Sequence, residues 1–200
     1  MATFLVDLAP HQLQARLREA LGIYVNAMQY PPGTEFLRAS VWVEHTRRPG
    51  WQAVAAVEVD NSSAHEPPSD AELSCAPMLG VAYGYCGAPN QWWHQQVVLG
   101  LLHKGVSRPK ISRVMANYFE LTELHIHPRA QGQGLGEALT RRLLAERTEA
   151  HVLLSTPEAE GKANRAWRLY RRLGFKDLIR GYHFAGDPRP FAILGRTLPL

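Results

Sequence analysis

The stretch Leu124-His-Ile-His-Pro-Arg-Ala-Gln-Gly-Gln-Gly-Leu-Gly-Glu-Ala-Leu139 decides the reading of this 200-residue chain. Leu124 and Ile126 alternate as in a strand, Pro128 ends it, Gly132, Gly134 and Gly136 form a turn, and Leu135, Ala138 and Leu139 follow at helical spacing. A helix N-terminus offers unpaired amides and the positive end of a dipole, and glycines let that backbone approach a phosphate closely. The segment therefore predicts a phosphate cradle. Two familiar cradles fail: the dinucleotide pattern GxGxxG needs glycine where Glu137 stands, and the P-loop pattern needs Gly-Lys where Glu137-Ala138 stands. What fits is [Gln/Arg]-x-x-Gly-x-[Gly/Ala], met by Gln131, Gly134 and Gly136. A glycine-rich turn that merely closes a strand–helix unit meets it too, so the flanking sequence has to decide.

Immediately upstream, Tyr118 to His127 reads as a strand whose apolar parity switches between Leu121 and Leu124, which predicts one extra residue, a β-bulge, near Thr122-Glu123. Downstream, a helix over Leu135–Arg147, a buried strand over His151–Ser155 and a helix over Gly161–Leu173 are expected, the last with Ala163, Ala166, Trp167 and Tyr170 on one face and Gly174 ending it. Leu178–Phe184 and Pro190–Gly195 read as closing strands. In the first half, Pro10 opens an amphipathic helix stopped by Pro31-Pro32-Gly33. Thr34 is a candidate cap for a second helix that Val41-Trp42-Val43 disfavours. Trp51–Val59 and Met78–Tyr85 read as a hairpin around the polar loop Asn61–Glu72, and Asn90 as the cap of a helix ending at Gly105. The whole is a mixed α/β chain with a partly antiparallel sheet.

Composition agrees with one soluble globular domain over residues 1–200: apolar residues make up 46% and charged residues 20%. The start lacks a basic leader and no apolar run approaches the ~20 residues of a membrane span, so neither export nor a membrane partner is expected. Cys75 and Cys86 read as reduced thiols of a cytoplasmic protein. The net charge of +4 is local, with eleven Lys and Arg against six Asp and Glu between Arg129 and Arg180, and eleven against twelve elsewhere. Basicity concentrated around the cradle suits a compact polyanion rather than nucleic acid.

Further on, Asn164-Arg-Ala-Trp-Arg-Leu-Tyr-Arg-Arg-Leu-Gly-Phe175 places an asparagine and a tyrosine on a helix that ends in Gly-Phe. With the glycine turn ahead of it, in this order and at this spacing, the chain resembles the GNAT N-acetyltransferase superfamily from about Phe119 to Phe175. The resemblance implies a central mixed sheet flanked by helices, with acetyl-CoA as cosubstrate. It implies that the amides of Gln131, Gly132, Gln133, Gly134, Leu135 and Gly136 hold the pyrophosphate. The backbone of Leu124, His125 and Ile126 would pair with the pantetheine arm, and Asn164 would hydrogen-bond the cofactor. Arg129, Arg165 and Arg168 are candidates for its phosphates, unranked.

Acetyl transfer to an amine needs an acceptor for the ammonium proton, stabilisation of the oxyanion and a proton for the departing thiolate. Tyr170 matches the family's tyrosine, the general acid, although a core aromatic is the plainer reading. Glu120 and Glu123 are the candidate bases. With one residue extra, Glu120 shares a face with His125 and His127, and it stands where some family members place their base, so it ranks first. His125-x-His127 has the spacing of a metal pair, but with no third ligand evident no metal is expected. Trp92-Trp93 reads either as core or as the wall of an acceptor pocket. The expectation is an N-acetyltransferase working by direct transfer in a ternary complex on a small-molecule or protein amine, with a homodimer left open. The alternative is a non-catalytic acyl-CoA-binding or regulatory module.

Overall fold

The computed structural model describes residues 1–60, 68–158 and 165–200. In chain order the elements are β1 (Ala2–Leu8), α1 (Pro10–Ala15), α2 (Leu17–Met28), α3 (Thr34–His45), β2 (Gln52–Val59), α4 (Asp70–Cys75), β3 (Met78–Cys86), α5 (Trp92–His103), α6 (Arg108–Met115), β4 (Tyr118–Ile126), α7 (Leu135–Leu144), β5 (His151–Pro157), α8 (Arg165–Arg172), β6 (Lys176–Tyr182) and β7 (Phe191–Thr197). The strands form one seven-stranded sheet in the order β1-β2-β3-β4-β5-β7-β6. It is mixed: β1–β2, β2–β3, β5–β7 and β6–β7 are antiparallel, whereas β4 and β5 run parallel. Two compact units divide the chain, Met1–Gly84 with Glu123–Ala145 and Tyr85–Thr122 with Glu146–Leu200, so β3 and β4 each pass from one into the other.

In the first unit, β1 pairs with β2 along its full length; the sequence reading used these residues only to argue against a leader and missed the strand. The expected helix after Pro10 is two, broken at Arg16, whose guanidinium holds Glu19 and the Ala76 carbonyl. α3 runs straight through Val41-Trp42-Val43, because Trp42 is fully buried and its burial outweighs a β-propensity of a few tenths of a kcal/mol. Of the polar loop, 61–67 lie outside the described residues, and its end is α4, capped by Ser69 and Glu72 in a capping box.

The second unit buries Trp93, Val97, Leu101, Ile111, Met115, Tyr118, Leu153 and Ile193 in one cluster. Ile111 and Met115 belong to α6, a short helix whose basic sequence hid it. α5 is capped at Gln91, not Asn90: the Gln91 side chain accepts from the Ala88 amide and donates to the Cys86 carbonyl. On α8 the buried residues are Leu169 and Tyr170. Ala166 is exposed, and the guanidiniums of Arg171 and Arg180 lie over the Trp167 ring at 4.5 and 4.6 Å. Residues 161–164 of that expected helix lie outside the described residues.

The parity switch in β4 has a counterpart in register. The His127 amide bonds the Leu79 carbonyl and the Gly87 amide bonds the Tyr118 carbonyl, so between these bonds β4 advances nine residues while β3 advances eight. One residue of β4 is therefore extra. Along the other edge of the strand, β4 meets β5 only at Tyr118–Glu120, opposite His151–Leu153, although β4 continues to Ile126 and β5 to Pro157.

Two glycines offer opposite tests of this packing. A Cβ on Gly87 would stand 1.9 Å from the Tyr118 ring, whereas one on helical Gly22 meets nothing within 4 Å. Gly87→Ala is expected to cost about 2–3 kcal/mol, roughly 4–12 °C in melting temperature, and Gly22→Ala to add about 0.5–1 kcal/mol. Thermal denaturation of the two variants beside wild type checks both signs.

Candidate functional site

Between β4 and α7 the chain makes one 3-10 turn, Pro128–Ala130, and then the glycine turn. Gly132 and Gly134 take φ of +83° and +82°, where a side chain is strained, and a Cβ on either would meet nothing within 4 Å. The glycines thus serve the backbone, and the space beside them is open. Gln131 ties the turn to the strand, its Nε2 donating to the Ile126 carbonyl at 3.1 Å. His127 Nδ1 accepts from the Arg129 amide at 3.3 Å, and Arg129 pairs with Glu58 of β2 at 2.8 Å. Gly134 is the N-cap of α7, so the amides of Leu135 and Gly136 have no helical carbonyl to bond. Open space, left-handed glycines and outward amides at a positive helix end make a fitting seat for an anion such as a pyrophosphate.

In the same unit, Glu123 and His125 are buried. Glu123 Oε2 lies 2.6 Å from His125 Nε2, and Oε1 accepts from Arg38 Nη2 of α3 at 3.0 Å. Burial alone would raise the Glu123 pKa, but the hydrogen bonds and charges of His125 and Arg38 outweigh it and hold the carboxyl below its ordinary value. His125 stacks on Trp42 with ring centroids 6.4 Å apart and meets the edge of Tyr24 at 4.9 Å. Arg38 also lies 5.7 Å from the Tyr24 ring centre. Beyond Trp42, His45 Nδ1 and the Tyr83 hydroxyl are 3.0 Å apart.

The second unit holds Glu120, which is 3% exposed and accepts a hydrogen bond from the Tyr85 hydroxyl at 3.3 Å. Thr122 Oγ1 lies 3.5 Å from the same carboxylate oxygen. The next residue back, Phe119, carries the Arg147 guanidinium on its ring at 4.3 Å, and Arg147 pairs with Glu149, which also accepts from the Cys86 thiol at 3.2 Å. Tyr170 is buried edge-on against Phe175, ring centroids 5.5 Å apart. The paired tryptophans split: Trp93 is core, its indole donating to Ser155 Oγ at 3.2 Å, and Trp92 is exposed against Phe184.

Of the residues singled out from sequence, the first unit brings together the turn Gln131–Gly136 and the backbone of Leu124, His125 and Ile126; the second holds Glu120 and Tyr170; Asn164 lies outside the described residues. Glu120 and Glu123 are both buried. His125 and His127 have different partners, and among the described residues no three His, Cys, Asp or Glu side chains cluster as metal ligands. Arg38 and Tyr85 escaped the sequence reading, since only strand pairing and helix docking bring them to β4. No helix of the described residues is long and apolar enough to cross a membrane.

Residues 93–177 match the acetyltransferase (GNAT) domain family. A GCN5-like protein acetyltransferase of Mycobacterium tuberculosis is 69% identical over 206 residues, covering 100% of both chains. Among solved structures, a GNAT-family acetyltransferase from Desulfovibrio desulfuricans superposes with a TM-score of 0.62 at 16% identity, covering 98% of this chain and 99% of that one. An acetyltransferase from Salmonella typhimurium, solved with its cofactor acetyl-CoA, gives 0.59 at 16% identity over 100% and 95% of the two chains. At these identities the structural likeness is one of fold.

Two buried titrating groups of the first unit, His45 and Glu123, separate by pH. Burial, and then the positive Arg48, lower the His45 pKa to about 4. An unfolded imidazole titrates near 6.5, so protons bind the unfolded chain first, and stability falls between about pH 6.5 and 4 by up to roughly 3 kcal/mol. Glu123, depressed in the folded state, contributes fully above the unfolded carboxyl value of about 4.3, and that contribution is lost as pH falls through its folded value. Urea melts from neutral to acid pH should show His45→Gln losing the first decline and keeping the second, and Glu123→Gln the reverse.

Proposed function

The chain belongs to the GNAT acetyltransferase family and is an acetyl-CoA-dependent acyltransferase, and from that premise we propose that it acetylates an amine of a protein acceptor by direct transfer in a ternary complex. The observation that carries the reading is the turn at Gly132–Gly134, with its open left-handed glycines and the outward amides of Leu135 and Gly136. The protein nature of the acceptor is supported by the 69% identical relative, named a protein acetyltransferase. Residues 1–200 are taken as one catalytic domain acting in the cytoplasm, where Cys75 and Cys86 stay reduced.

Acetyl-CoA supplies an activated acyl thioester. The amides of Gln131 to Gly136 hold its pyrophosphate, and the backbone of Leu124 to Ile126, on the stretch of β4 beyond its ladder with β5, pairs with the pantetheine arm. By the family resemblance, Asn164, outside the described residues, would hydrogen-bond the cofactor. Glu120 takes the proton of the acceptor ammonium, directly or through water, while Tyr85 and Thr122 fix its carboxylate. Glu123, with both oxygens engaged by Arg38 and His125, is the weaker base of the two. Tyr170, in a dry setting against Phe175, donates its proton to the departing sulfur.

Acetyl-CoA at a hundredfold excess over its dissociation constant should stabilise the protein by about 2.7 kcal/mol, roughly 5–10 °C in melting temperature, and Gly134→Asp should abolish the shift by placing a carboxylate in the anion seat. No shift with wild type at millimolar cofactor would remove the cradle.

Steady-state kinetics on a protein acceptor separates the two proton-transfer roles. Glu120→Gln is expected to lower kcat by about 10²- to 10⁴-fold and flatten the alkaline-side rise of the pH profile. Tyr170→Phe, which keeps the ring, should lower kcat at least roughly tenfold with acetyl-CoA affinity within a few fold. Wild-type turnover in either variant takes that residue out of the mechanism.

A further inference from the structure

Past Glu120, β4 has no ladder with β5, so residues 123–126 are held by β3 along one edge and by what lies on the strand's two faces. On one face the fit is steric: a Cβ on Gly80 would stand 2.6 Å from Ile126 Cδ1 and 3.3 Å from Leu139 Cδ1, so Ile126 is seated against β3 and α7 with no slack. On the other face the hold is electrostatic. Glu123 and His125 are buried and bonded to each other, and one cation reaches that carboxylate, Arg38 Nη2 at 3.0 Å. The other groups turned toward this pair are the Tyr24 hydroxyl-bearing ring from α2, Trp42 and neutral His45 from α3, and Tyr83 from β3. None of these supplies a positive charge at neutral pH.

We propose that Arg38 is a positioning residue for the pantetheine arm: by pairing with Glu123 it holds that carboxylate between α3 and His125, and so fixes the backbone of Leu124 to Ile126 at the spacing the arm requires. The proposal rests on the reading that this backbone pairs with the arm. Without Arg38, Glu123 is a buried carboxylate whose remaining partner is an imidazole. It then gains from turning toward water or taking up a proton, and either change frees the Glu123–His125 end of the strand. The turn at Gln131–Gly136 is tied to the strand end by its own bond, Gln131 to the Ile126 carbonyl, and keeps its amides. The loss therefore falls on the arm and spares the pyrophosphate seat.

The test compares two ligands by calorimetry on the full-length chain: acetyl-CoA, and the nucleotide half of CoA with its pyrophosphate but without pantetheine. Arg38→Met is expected to weaken acetyl-CoA at least tenfold and the nucleotide half less than threefold. Arg38→Lys, which keeps the charge, should recover acetyl-CoA binding to within about threefold of wild type, since the observed pairing uses a single nitrogen. Glu123→Gln should repeat the pattern of Arg38→Met. Should Arg38→Met not fold, Arg38→Gln is judged by the same criterion. Equal weakening of both ligands, unchanged acetyl-CoA binding in a folded variant, or failure of Arg38→Lys to recover it overturns the proposal. Failure of wild type to bind either ligand instead overturns the cradle reading, and binding of the nucleotide half alone by wild type overturns the pairing of the arm with β4.

Discussion

One extra residue in β4 sets the conditions for everything chemically interesting in this chain. A regular strand could have continued its parallel ladder with β5 past Glu120 and Leu153, where the observed ladder stops. The same insertion reverses the side-chain alternation along the strand. An interrupted ladder forfeits hydrogen bonds that are each worth about a kcal/mol net, so the interruption persists only where neighbouring packing enforces it. Gly80 against Ile126 and Arg38 against Glu123 supply that enforcement.

Burying charge is the second constraint. Glu123 with Arg38 and His125, and Glu149 with Arg147 and Cys86, are carboxylates removed from water whose pKa values fall, although burial alone would raise them. In each case the guanidinium and the second donor more than offset desolvation, which keeps the carboxylate charged at neutral pH. Such an arrangement is fragile in one direction: removing a single partner leaves an uncompensated buried charge, which costs far more than the intact pair contributes. The exposed pairs, Arg142 with Asp7 and Arg141 with Glu137, carry little of the stability by comparison.

The glycine turn combines a conformational need with a functional consequence. Left-handed backbone at Gly132 and Gly134 is what lets the chain leave the 3-10 turn and enter α7 with its first amides pointing outward. The absence of side chains leaves room in front of those amides. Gln131, often regarded only as part of a motif, here has a mechanical role, bonding the turn to the carbonyl that ends β4.

Read alone, the sequence determined the features that depend on local order. Proline exit, glycine turn and apolar helix between Leu124 and Leu139 leave few backbone solutions, and the odd-to-even switch between Leu121 and Leu124 is a property of one strand, so both were legible residue by residue. Tyr170 and Leu169 sit on the buried side of α8, whereas the partly exposed Trp167 ring carries the guanidiniums of Arg171 and Arg180 in cation–π contact, which the helical spacing alone did not tell. The strand Ala2–Leu8 and the helix Arg108–Met115 went unread: the strand buries only Leu8 and the helix only Ile111 and Met115, so each is stable because a neighbour covers it. Tertiary structure alone decided that Arg38 reaches Glu123 across 85 residues of sequence, that Tyr85 reaches Glu120, and that both carboxylates are buried rather than solvated. A pairing between distant side chains leaves no periodic trace in either segment. It exists only once helix docking and strand register have been fixed by the burial of everything around it.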